Sequence, residues 1–140
     1  MWTSEREAAL RKRVLEIPIS RTLGFVFEEF GEGFCRMRVP FDRGYEGVFQ
    51  SLHGGILMTA ADSAACFAIL TRVDPDTVLT TTDMNIRFLA PCLTAATIEA
   101  RVIKLGKTLC PVAVDLFDDS RKLVAVAQVA YIRLDRMPRR

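Results

Sequence analysis

The sequence predicts an α+β fold in which about six antiparallel strands wrap one long buried helix, and three observations carry that expectation. Residues 51–70 are apolar on every side of a helix and contain one carboxylate, Asp62, with no further charge until Arg72. Two alternating runs precede this segment and four follow it, each closed by glycine, proline or aspartate turns. At 140 residues the chain suits a single domain over 1–140, because two halves would each struggle to bury a core.

Composition narrows the function classes. Hydrophobic residues make up 50% and charged residues 26%, the balance of a globular protein with a solid core. A net charge of +2 is too small to argue for a nucleic-acid partner. Cys35, Cys66, Cys92 and Cys110 form no CxxC pair, and one histidine leaves too few ligands for a zinc site, so no metal and no cofactor is expected. Reduced thiols and a start without a basic, apolar leader predict a cytoplasmic protein. The central helix, about 18 residues long and interrupted by Asp62, reads as buried in protein rather than in a membrane.

The elements follow in order. Ser4 and Glu7 match a capping box, and Leu10, Val14 and Ile17 recur at helical spacing until Pro18, which predicts a helix over 4–16 within an N-terminal extension, 1–23. Residues 25–30 and 34–39 flank Gly31-Glu32-Gly33 and read as a β-hairpin. Residues 41–52 have neither period and form a loop that delivers the chain to the central helix. Strands are then predicted over 78–89, 96–105, 108–117 and 122–134, joined as an antiparallel meander whose first member, the third strand of the chain, is left as an exposed edge. Residues 135–140 form a basic tail.

Asp62 is the residue that needs an explanation, because an ionised carboxylate in so apolar a helix has no basic neighbour on its own surface. His53 stands nine positions earlier at the helix N-terminus, followed by Gly54 and Gly55, whose N–H groups the helix ladder does not use. Backed by the helix dipole, those groups can polarise a carbonyl or hold an oxyanion. A tight loop entry would explain the same His-Gly-Gly run, and a structural hydrogen bond would explain Asp62. From Gly54 to Asp62 is about 12 Å along a helix. Both can act on one carbonyl only if they come from different subunits, so a shared site demands a two-fold dimer.

Three motifs in order, Gln50-Ser51-Leu52-His53-Gly54-Gly55-Ile56-Leu57 with Asp62, then 81–91 beginning Thr81-Thr82-Asp83-Met84-Asn85, then Lys104-Leu105-Gly106-Lys107, resemble the hotdog-fold acyl-CoA thioesterases of the phenylacetate-pathway, PaaI-like type. The resemblance spans 24–134. It implies sheets joined edge to edge in a homodimer, often doubled into a homotetramer, with an acyl-CoA as substrate. It also implies roles: Gly54 N–H donates to the thioester carbonyl, Asp62 of the other subunit activates water or attacks, Thr81 orients the water, and His53 supports the carbonyl end. One position departs, since relatives carry an amide six residues before the histidine where this chain has Gly47, leaving Gln50 as a stand-in.

By alternation, Thr81, Asp83, Asn85 and Arg87 share one strand face and Thr82, Met84, Ile86 and Phe88 the other. Arg87, Lys104 and Lys107, with backbone donors at Gly106, are the candidates for the phosphates of coenzyme A, and Gly55 and Asn85 join the substrate set. A hotdog protein that binds acyl-CoA without turnover is the alternative. A hotdog dehydratase or hydratase fits the His53–Asp62 spacing less well.

Overall fold

A computed structural model describes residues 1–140. Helix α1 spans Ser4–Leu15, and its N-cap is Thr3 rather than Ser4: Thr3 is extended, and its hydroxyl accepts from the Arg6 N–H at 3.2 Å. Pro18 ends the first helical run as expected, but it also opens a second helix, α2, Pro18–Leu23, that periodicity does not predict. The fixed φ of proline suits the first helical turn, and Gly24, left-handed at φ 68°, closes the helix.

Strands β1, Val26–Gly31, and β2, Phe34–Val39, form the expected hairpin, with Gly33 at φ 74° in its turn. A loop containing one 3-10 turn, Arg43–Tyr45, leads to the central helix α3, Gly54–Leu70. Strands β3, Val78–Phe88, β4, Ala96–Val102, β5, Leu109–Phe117, and β6, Leu123–Leu134, complete a six-stranded sheet. The sheet is antiparallel throughout, as in the predicted hotdog class.

Its order, β1-β2-β4-β5-β6-β3, corrects the expected four-strand meander. Of those four strands, only β4, β5 and β6 are consecutive neighbours. Because α3 crosses the sheet between β2 and β3, the chain re-enters at the far edge, and β4 then returns to pair with β2. Strand β3 therefore pairs with β6 alone and leaves an 11-residue edge unpaired, in agreement with the edge expected for it.

Helix α3 lies against one face of the sheet, mainly on β4, β2 and β5. Ala60, Ala61, Ala64, Ala65 and Ala68 are fully buried, and their small side chains let the helix backbone sit close to the sheet. Phe67 packs against Phe27 and Phe30 at 4.9 and 6.1 Å between ring centroids. These residues belong to one core of 31 side chains. Arg6 of α1 donates to the Leu70 and Val73 carbonyls and so caps the far end of α3. Helix α3 is covered on most of its circumference, as expected, but keeps one open stripe: Gly55, Thr59, Asp62 and Cys66, spaced three or four residues apart, are not buried. No helix is long and apolar enough to cross a membrane.

Candidate active site

Both ends of the suspected site lie on α3, and different elements furnish each. At the N-terminus His53 is the N-cap, and its Nδ1 accepts from the Gly55 N–H at 2.9 Å, which leaves the ring proton on Nε2. The His53 main chain is tied back by its own N–H to the Tyr45 carbonyl at 2.7 Å, and Leu52 N–H reaches the Cys92 carbonyl at 2.9 Å. Of the two glycine N–H groups that the ladder spares, Gly55's is thus occupied, which corrects its assignment as a substrate donor. Gly54's has no partner within the chain.

Gly54 opens onto an apolar cleft of about 650 Å³ lined by Phe49, Leu57, Phe88, Leu89 and Leu93. A Cβ on Gly54 would stand 2.9 Å from Cζ of Phe88, so any larger residue there must push the ring end aside. Gly47 packs beside the imidazole, where a Cβ would lie 3.5 Å from Cδ2 of His53. Gln50 sits exposed at the tip of the preceding turn in a left-handed conformation, φ 64°.

At the other end the half-buried Asp62 carboxylate is gripped on one side. Thr81 Oγ1 donates to its Oδ1 at 2.7 Å, and Tyr131 Oη reaches the same oxygen at 2.7 Å and the Asp62 main-chain carbonyl at 2.9 Å. Asp62 Oδ2 has no partner. Thr81 and Tyr131 face each other across the β3–β6 ladder, so one cross-strand pair delivers both hydroxyls. Burial, reinforced by the nearby Cys66 and Asp62, pushes the Tyr131 phenol well above its usual range, so it remains a donor. Burial and the Asp62 carboxylate push the Cys66 thiol up to about 11, which keeps it protonated and un-nucleophilic at neutral pH.

A bulge between Thr81 and Asp83 explains this geometry and corrects the predicted faces of β3. The extra residue, Thr82, reverses the alternation, so Thr81 shares the α3 side with Met84, Ile86 and Phe88 rather than with Asp83. Asn85 and Arg87 fall on the opposite, exposed face, away from Asp62, and leave the substrate set at this centre. Gly106 is also corrected: its N–H donates to the Leu109 carbonyl at 3.1 Å, and its own carbonyl accepts from Arg133, so no backbone donor is free there. Lys104 and Lys107 are exposed and unpaired.

Residues 49–125, which include both ends of this constellation apart from Tyr131, match the family model described as the thioesterase superfamily. The chain belongs to the thioesterase superfamily. It is a thioester hydrolase. A protein of Saccharolobus solfataricus is 32% identical over 106 residues, covering 75% of this thioesterase and 70% of that protein. Acyl-coenzyme A thioesterase 13 of Homo sapiens is 33% identical over 100 residues, 68% of each chain. The PaaI protein from the phenylacetic acid degradation operon of E. coli is 20% identical, covers 96% of each chain and superposes with a TM-score of 0.87, a likeness of fold.

Sequence reasoning about this thioesterase missed Tyr131. A tyrosine in a strand is ordinary, and 69 residues separate it from Asp62, so only the pairing of β3 with β6 reveals the contact.

Proposed function

We propose that this thioesterase hydrolyses acyl-coenzyme A in two equal sites of a homodimer, each built from Gly54 of one protomer and Asp62 of the other. The observation that carries the reading is the separation of the two groups: an unpaired N–H at the N-terminus of α3, and a carboxylate two turns further on with one oxygen free. They lie about 12 Å apart on one helix, too far for one carbonyl. A two-fold axis midway along the open stripe of α3, with the unpaired β3 edges side by side, brings each Gly54 toward the other chain's Asp62.

In this site the thioester carbonyl oxygen accepts from Gly54 N–H at the positive end of the α3 dipole, where negative charge develops. Asp62 Oδ2 takes a proton from water as its oxygen adds to the carbonyl carbon. The tetrahedral intermediate collapses, the C–S bond breaks, and the leaving thiolate takes the proton held on Asp62, giving free acid and coenzyme A thiol and returning Asp62 to the carboxylate. His53 acts here by holding the helix entry through Gly55 N–H. The apolar cleft beside Gly54 suits an apolar acyl group, and the exposed Lys104 and Lys107 supply charge for the coenzyme phosphates.

Thiol release from a panel of aliphatic and aromatic acyl-CoA thioesters tests the reading. Asp62→Asn should lower kcat by about 10²- to 10⁴-fold, the usual contribution of a general base. Full activity in that variant would remove Asp62 from the chemistry.

A further inference from the structure

We infer that Tyr131 is a positioning residue for this reaction: its hydroxyl, together with that of Thr81, occupies Oδ1 of Asp62 and leaves Oδ2 as the oxygen that meets water or thioester. The inference rests on Asp62 being the reacting carboxylate. It stands on geometry that the motifs do not contain. Two hydroxyls lie 2.7 Å from one carboxylate oxygen and none reaches the other. An ionised carboxylate offers about four acceptor sites over its two oxygens, so placing both donors on one oxygen is a directed arrangement rather than general solvation.

Three constraints make the clamp rigid. The Tyr131 hydroxyl also sits 2.9 Å from the Asp62 main-chain carbonyl, so the phenol is referenced to the helix backbone as well as to the side chain. The Tyr131 ring is buried in the core, on a strand paired on both sides by β5 and β3. Thr81, at the β3 bulge, closes the same oxygen from the edge strand. Torsional freedom of the carboxylate is thereby removed, and a base held in one orientation loses less on reaching the transition state.

The titratable groups around Asp62 are few. Tyr131 faces it from β6 and Cys66 from its own helix, with Cys35 of β2 and Arg13 of α1 interacting in turn with Cys66. Strand β3 contributes only the neutral Thr81 to this side. Tyr131 is therefore the one phenol donor to the carboxylate.

Tyr131→Phe keeps the ring and deletes the hydroxyl. Steady-state kinetics on the full-length chain should show kcat about tenfold lower and KM changed less than about twofold. A merely structural role would lower the melting temperature and leave kcat of the folded protein at the wild-type value. Wild-type kcat, alongside an inactive Asp62→Asn, overturns the role of Tyr131 and leaves the base intact. An active Asp62→Asn overturns the base reading and the clamp together. If Tyr131→Phe does not fold, Thr81→Ala tests the same oxygen: it should lower kcat with KM little changed, and Thr81→Ser should restore it, whereas wild-type kcat in Thr81→Ala overturns the clamp.

Discussion

A histidine that caps a helix through its ring nitrogen links stability to function at a single residue. His53 Nδ1 is the acceptor that satisfies the Gly55 N–H, and in doing so it leaves the neighbouring Gly54 N–H as the unpaired donor at the helix end. His53→Ala should cost about 1 kcal/mol by loss of the cap, measured by urea unfolding, and should lower kcat as the entry loosens. A variant as stable as wild type would show that the ring bond contributes nothing to the helix. At this scale His53, Gly54 and Asp62 were legible in the sequence, because one carboxylate in an apolar helix and two glycines after a histidine stand out against their surroundings. Thr81 was legible by type but not by direction, since one bulged residue reverses every side chain before it. Tyr131 carried no signal at all: a strand tyrosine becomes a ligand of Asp62 only through long-range pairing.

Turns and edges decide how the elements present these residues. Gly106 ends the excursion between β4 and β5, and a Cβ there would run into the Leu109 carbonyl, a backbone atom that cannot swing aside. Gly106→Ala should therefore destabilise the fold by about 1–3 kcal/mol in thermal or urea melts, and wild-type stability would mean that the turn relaxes freely. Its place in the Lys-Leu-Gly-Lys run thus has a conformational cause, independent of phosphate. The helix, the hairpin and the later strands were readable from period and punctuation, with ends displaced by a few residues. Strand order was not, because alternation specifies which face is buried and is silent on which neighbour a strand takes. Pro18 marks the stop of the first helical run, and the same fixed φ also starts α2.

For the whole molecule, the thioesterase fold leaves three features open on the side of α3: its stripe through Asp62, the β3 edge, and the apolar loop tip where Val48 and Phe49 are each 90% exposed. In the proposed homodimer a second copy of the chain would cover the stripe and the β3 edge, and the separation of Gly54 from Asp62 would become a property of the assembly rather than a defect of the protomer. Complementation between two inactive variants measures this most directly. Asp62→Asn removes the carboxylate, and Gly54→Pro removes the N–H at a first helical position whose backbone suits proline, its added Cβ displacing the exposed end of the Phe88 ring. Each variant alone should release no thiol above background. Unfolded together and refolded as an equal mixture, half of the dimers are mixed and each mixed dimer carries one intact site of two, so about a quarter of wild-type activity should return. No recovery, with mixed dimers demonstrated by mass spectrometry, would contradict a site shared between protomers.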